Sequence, residues 1–268
     1  MYYYLIKSAH NPFFCGLWVL NVLREFNILC LKYRKYEEIF VSLSETGERE
    51  FSFARKPGAD TCLKKEELNA ELIKESKVFH FGSLSLTTEP ARSTTFEAIH
   101  IAKEAGCIIS YDPNYRAPLW SDEMASIEGM RSVLSYIDVM KISDEETKLL
   151  TDISESEEAA KKLIAMGIAI VVVTLGGDGA LVCTKEGCVQ VPGYKANLVD
   201  TTGAGDSFWG GFLNSLLENG KKPSEISLEE AASFAKYGNA VASLCVEKRG
   251  AIPAMPATDA IQERLQQE

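Results

Sequence analysis

The chain has 268 residues, of which 46% are hydrophobic and 25% charged, and a net charge of −10. This balance describes a soluble folded chain, long enough for one large domain, and excludes a disordered one. The negative field disfavours nucleic acid and anionic membranes as partners, so an anionic substrate has to be held by local donors, backbone amides or a metal.

Near the N-terminus, Phe13 to Leu23 is largely apolar and follows Lys7. It is too short to span a bilayer and no small-x-small cleavage pattern follows it, so a cytoplasmic location is expected. Seven cysteines without a Cys-x-x-Cys pair, and three histidines without a cluster, read as reduced thiols and as no zinc site. Glu38–Leu43 and Arg49–Phe53 flank Glu45-Thr46-Gly47 and predict a hairpin, suited to a lid or a dimer clasp near residues 37–56.

From residue 77 strands and helices alternate. Val78–Gly82 predicts a strand and Glu89–Ala105 a helix. Cys107–Asp112 is again a strand, stopped by Pro113, and Ser121–Ser135 a helix. Ile137–Ile142 is followed by helices at Asp144–Leu150 and Glu155–Met166, with Gly167 as C-cap. Ile168–Thr174 is a β-branched run, as expected of a central strand covered on both faces. Ala180–Cys183 and Cys188–Val191, around Glu186-Gly187, predict a second hairpin that extends the sheet antiparallel. Repeated units of this kind give an α/β fold, a mostly parallel doubly wound sheet with helices on both faces. No repeat or linker divides the chain, so residues 1–268 read as one domain.

The chemistry concentrates at Asp200-Thr201-Thr202-Gly203-Ala204-Gly205-Asp206-Ser207-Phe208. Phe208, Phe212 and Leu216 recur at helical spacing, so Gly203, Ala204 and Gly205 lie where a loop becomes a helix N-terminus. Unpaired amides and the positive end of the dipole make an anion site there. Asp206 in the first turn reads either as a carboxylate favoured by the dipole or as a general base beside a phosphate. No Gly-x-x-x-x-Gly-Lys-Ser/Thr run occurs, which excludes a Walker loop. Thr174-Leu-Gly176-Gly-Asp-Gly179 is a glycine-rich turn after the central strand. Ser143 and Glu146 have capping-box spacing, and Lys141 ends its strand within reach of a phosphate.

The Asp200–Phe208 run resembles the C-terminal signature of the ribokinase-like (PfkB) carbohydrate kinases. That resemblance implies a ribokinase-like fold with a small β-hairpin lid, ATP as phosphoryl donor and Asp206 as the base that deprotonates a sugar hydroxyl. By the same resemblance Glu146 organises Mg2+ through water, with Ser143 replacing the family's asparagine. Lys141, Thr174, Gly176, Gly179 and Asn239 face ATP, while Asp200 and Thr202 join Lys248–Pro253 around a monovalent cation such as K+. Asp112-Pro-Asn114-Tyr-Arg116-Ala-Pro-Leu-Trp120, Arg49–Asp60 and Phe79–Ser85 are similar to fructokinase segments. They place Asn114, Arg116 and, from the lid, Arg55 at the sugar. The implied reaction is phosphorylation of the primary hydroxyl of a ketohexose, most simply fructose to fructose 6-phosphate, with a 2-keto-3-deoxygluconate kinase as the second enzyme reading.

The resemblance runs from residue 37 to 258 and more weakly over 11–28. The strand with a substrate-binding aspartate and the Gly-Gly loop that should come first are replaced by Met1–His10. A chain shortened at its N-terminus is therefore expected, with an exposed sheet edge. A catalytically impaired nucleotide-binding remnant with an interaction or regulatory role stands as the alternative to an active kinase, and a homodimer through the lid is expected.

Overall fold

Period-two alternation of apolar side chains builds the sheet in the computed structural model, which describes residues 4–6, 38–43, 49–54 and 58–267. The strands are β1 (Tyr4–Ile6), β2 (Glu38–Leu43), β3 (Arg49–Ala54), β4 (Val78–Gly82), β5 (Ile108–Asp112), β6 (Val139–Ser143), β7 (Ile170–Thr174), β8 (Ala180–Thr184) and β9 (Gly187–Val191). The helices are α1 (Ala70–Lys74), α2 (Ala91–Glu104), α3 (Glu123–Arg131), α4 (Thr147–Thr151), α5 (Ser156–Ala165), α6 (Ala204–Asn219), α7 (Leu228–Cys245) and α8 (Thr258–Leu265). Among the described residues, no helix is long and apolar enough to cross a membrane.

Seven strands form one sheet in the order β1-β4-β5-β6-β7-β8-β9. The neighbours from β4 to β7 are parallel, while β1, β8 and β9 join antiparallel at the two margins. Phe79, Phe81, Ile109, Tyr111, Met140, Ile142, Val171 and Val173 point to one face and pack with residues of α2 to α5. Val78, Val139, Ile170 and Val172 point to the other, against Phe208, Trp209, Phe212 and Leu216 of α6 and Phe234 of α7. Strand β7 is therefore covered on both faces, as its unbroken apolar run predicts. The same alternation sends His80, Ser110, Asp112 and Lys141 toward the α6 side, and this places the site.

Local chemistry sets the helix ends. Ser227 Oγ accepts from Glu230 N at 3.2 Å and the Glu230 carboxylate accepts from Ser227 N at 2.9 Å, a reciprocal cap that starts α7. Gly220 ends α6 in the left-handed region, with φ 77°. Strands β2 and β3 pair antiparallel from Glu38↔Ala54 to Leu43↔Arg49, the hairpin the sequence predicts.

Three expectations change. The outer edge of β4, expected bare, pairs with β1 through Tyr4↔His80, Leu5↔Phe79 and Ile6↔Val78. Cys183 and Cys188, expected reduced, form a disulfide, with Cα atoms 4.1 Å apart. They sit directly opposite each other one pair from the β8–β9 turn, where facing side chains come closest. Helices α1 and α8 are absent from the sequence reading. The apolar stretch Phe13–Leu23 lies outside the described residues.

Phe212 is fully buried, stacked on Trp209 at 4.8 Å and edge-on to Phe234 at 5.7 Å. Replacing it by alanine is expected to lower the unfolding free energy by about 3–5 kcal/mol, read from the shift in urea midpoint.

Candidate active site

Helix α6 begins on a glycine because nothing else fits. Gly203 has φ 79°, and a Cβ there would meet the Ala251 Cβ at 2.6 Å. Asp200 fixes the loop before it. One carboxylate oxygen accepts from Thr202 N at 2.8 Å and Thr202 Oγ1 at 2.6 Å, and the other from Gly250 N at 2.9 Å. The loop and the 248–253 segment are thereby held together, and the first amide of the sixteen-residue α6, that of Ala204, donates back to the Thr201 carbonyl at 3.1 Å. Asp206 stands exposed in that first turn.

Beneath this turn lies a buried cation. Lys141 Nζ is 2.8 Å from Asp112 Oδ2, with side-chain exposures of only 8% and 5%. A Cβ added at Gly205 would stand 3.2 Å from the same ammonium, so the backbone of the loop rests close over it. Burial opposes the charge of Lys141, but Asp112, Glu146 and Asp206 outweigh it and its pKa is shifted upward. The ammonium therefore stays charged under the helix N-terminus. Asp112 Oδ1 is buried without a hydrogen-bond partner among the described residues.

Glu146 joins two chain segments. Its carboxylate accepts from Ser143 N at 2.8 Å and from Tyr115 N at 2.6 Å. The capping geometry predicted from spacing is present, and the same side chain pulls the segment after β5 toward β6. Burial, then Asp112, raises its pKa against the lowering effect of Lys141. Asn114 takes a left-handed backbone, with φ 47°, and lines a cleft with Asp112, Asp206, His80, Gly82 and Ser85. Arg116 donates to the Tyr115 carbonyl at 2.9 Å and is half-buried.

The residues expected to face ATP do not line this cleft, although Lys141 pairs with Asp112 behind it. Thr174 Oγ1 donates to the Ile142 carbonyl at 3.3 Å, at the end of β7. Gly176 and Gly179 both have positive φ, and a Cβ at Gly179 would strike the Val191 carbonyl at 2.1 Å. Asn239 Nδ2 donates to the carbonyls of Val191 and Pro192 at 3.1 and 3.0 Å, so both its amide hydrogens hold the end of β9. The cleft thus brings Asp206 and Asn114 together, with Lys141 behind them. Arg55 lies outside the described residues.

Sequence reasoning did not single out four contributors. Trp209 Nε1 and His80 Nδ1 both lie 2.9 Å from Ser110 Oγ, which links α6 to β4 and β5. Asp112 emerges as the partner of Lys141. The signal was a polar residue on the α6 side of each otherwise apolar strand.

The model for the pfkB family carbohydrate kinases matches residues 37–258. The chain is 46% identical over 219 residues to probable fructokinase-5 of Arabidopsis thaliana, covering 81% of this chain and 67% of that protein. It therefore spans about two thirds of that relative's length. Its fold superposes with a TM-score of 0.77, at 33% identity, on a Vibrio cholerae O395 fructokinase double mutant bound to fructose, ADP and potassium ion, covering 86% of this chain and 73% of that one. A Xylella fastidiosa fructokinase with bound ATP gives 0.76 at 28% identity, with coverages of 86% and 73%.

His80 supplies a pH test. Burial lowers its pKa from 6.5 to about 4, with Asp112 opposing. Between those values the unfolded chain binds a proton that the folded ring refuses. The stability from the neutral ring is therefore present above pH 6.5 and lost as pH falls through about 4. Unfolding free energies measured at pH 7 and pH 4 should drop by about 3 kcal/mol more in the parent than in His80→Gln. The raised Glu146 contributes with the opposite sign, and the comparison cancels it.

Proposed function

Because this chain belongs to the pfkB family of carbohydrate kinases and has the ribokinase-like fold, we propose that it transfers the terminal phosphoryl group of ATP to the primary hydroxyl of fructose. The observation that carries this reading is Asp206, exposed in the first turn of α6 at a cleft shared with Asp112 and Asn114, with the buried Lys141 ammonium behind it. The fructose- and ATP-bound fructokinases of similar fold support the choice of both substrates.

The residues divide the work. Asp206 takes the proton of the attacking hydroxyl as its oxygen bonds to phosphorus and the bond to the departing ADP oxygen breaks. The amides of Gly203 and Gly205, at the positive end of α6, stabilise charge on the phosphoryl oxygens, and Lys141 adds a fixed cation, while the Ala204 amide, expected to share this role, is spent on the Thr201 carbonyl at 3.1 Å. Asn114 and Arg116 hold the sugar or the phosphate, with Arg55 assigned to the lid side. Thr174, Gly176, Gly179 and Asn239 shape the nucleotide side. Glu146 fits a hydrated magnesium ion, since one carboxylate with water and substrate phosphates is the usual supply for Mg2+, and such an ion would neutralise phosphate charge when bound. Asp200 and Thr202 offer oxygens for a potassium ion beside the same loop. Association of two copies through β2 and β3 belongs to this reading, because a two-stranded sheet is marginal alone. So does a cytoplasmic location.

Purified protein given fructose, ATP and Mg2+ is expected to release ADP. ATP binding without turnover would favour the nucleotide-binding remnant. In an active preparation Asp206→Asn should lower kcat by about 10²–10⁴-fold with little change in ATP affinity. A rate close to the parent's would remove Asp206 from the mechanism.

A further inference from the structure

Between the end of β9 and the anion loop the chain runs through residues 192–200 without a helix or strand. Lys195, Ala196, Asn197, Leu198 and Val199 are all exposed, so apolar packing does not hold this segment in place. Hydrogen bonds to its backbone set its path instead. Val199 N and Asp200 N both donate to the Val246 carbonyl, at 2.8 and 3.1 Å. Asn197 N donates to Glu247 Oε1 at 3.2 Å. The Lys195 carbonyl accepts from Arg264 Nη1 at 3.2 Å.

Arg264 joins these contacts. It lies near the end of α8, where Ile261 packs with Ala240 and Val241 of α7, and it is the one buried arginine among the described residues. Nη2 donates to Glu247 Oε2 at 3.1 Å, and Nη1 also donates to Ser243 Oγ at 3.0 Å. Ser243 Oγ gives its own proton to the Ala240 carbonyl at 2.8 Å, so it is an acceptor toward the guanidinium. Glu247 is thereby held between Arg264 and the Asn197 amide, one carboxylate oxygen to each. Arg264 Nε is buried without a hydrogen bond among the described residues. Core packing does not call for such a group, because an apolar side chain of similar volume often stabilises as well as a buried ion pair. What the planar guanidinium supplies, and an apolar side chain lacks, is several donors aimed at fixed points. Asp200 ends the segment and fastens Thr202 and Gly250, so the path of residues 195–200 is passed on to the turn from Gly203 to Asp206. We infer that Arg264 is a positioning residue for phosphoryl transfer, fixing the approach to the anion loop through Glu247 and the Lys195 carbonyl. This deepens the kinase reading and rests on it for the reaction.

Two readouts separate positioning from bulk stability. In assays with fructose, ATP and Mg2+, Arg264→Met should lower kcat about ten- to a hundredfold with the KM for fructose unchanged, and Arg264→Lys should recover most of the rate. In hydrogen exchange without substrates, the Val199, Asp200 and Thr202 amides should exchange about tenfold faster in Arg264→Met than in the parent. A role in global stability alone would instead speed the slow amides of β7 and leave the loop amides, which exchange by local opening, as they are. If the parent turns over fructose and Arg264→Met keeps its kcat, or loses it without faster loop exchange, the positioning role is overturned and the kinase reading stands. Faster loop exchange in the variant of a parent that shows no turnover would keep the clamp on the loop and remove the kinase reading. Neither turnover nor faster loop exchange would overturn both. Should Arg264→Met not fold, Glu247→Gln, which keeps an acceptor for Asn197 and removes the charge facing Arg264, decides by the same readouts.

Discussion

An ammonium group as buried as that of Lys141 has to be matched by negative charge at hydrogen-bonding distance, because removing one partner leaves an uncompensated charge out of water. Asp112 provides that match at 2.8 Å. The pair fixes the positions of β5 and β6 at their carboxyl ends and sets a positive charge under the N-terminus of α6. Two sources of positive potential, the ammonium and the helix amides, then converge on the loop from Gly203 to Asp206 in a chain whose net charge is −10.

Carboxylates also act here as struts between backbone segments. Glu146 fastens the amides of Ser143 and Tyr115, and Asp200 fastens those of Thr202 and Gly250. Structural and chemical roles coincide in these side chains. The Glu146 carboxylate accepts one amide hydrogen bond per oxygen, whereas Asp200 Oδ1 takes both the amide and the hydroxyl of Thr202. The loops they hold are the ones that must stay rigid for in-line phosphoryl transfer.

The α/β class, the antiparallel extension at β8–β9 and the β2–β3 hairpin were legible because they follow from period-two apolar runs and turn residues. The junction of loop and helix at Gly203 was legible because Gly203, Gly205 and Asp206 stand just ahead of a helical apolar repeat. Other features depend on which residues face each other across the sheet, and periodicity alone does not rank such pairs. His80, Ser110 and Trp209 come from three separate elements. Asp112 appeared only as the end of a strand and the first residue of a fructokinase-like segment. The Cys183–Cys188 bond lay within reach of the hairpin reading, since pairing residues outward from the Lys185-Glu186 turn sets these two opposite. Strand β1 and helix α8 are short and carry too little pattern to separate from their surroundings. Asn239, assigned to the nucleotide by resemblance, holds two carbonyls of the β9 end, a contact across 48 and 47 residues of sequence.

The convergence of Lys141 with the α6 amides is tested most directly by comparing the binding of ATP and of adenosine to the parent and to Lys141→Gln by titration calorimetry. Adenosine reports on folding and on the nucleotide pocket in the same protein, so the ratio of the two affinities isolates the phosphates. A ratio of ATP to adenosine affinity lower by about ten- to a hundredfold in the variant is predicted, the worth of a charge-assisted hydrogen bond. An unchanged ratio would contradict the placement of this buried cation at the phosphate site.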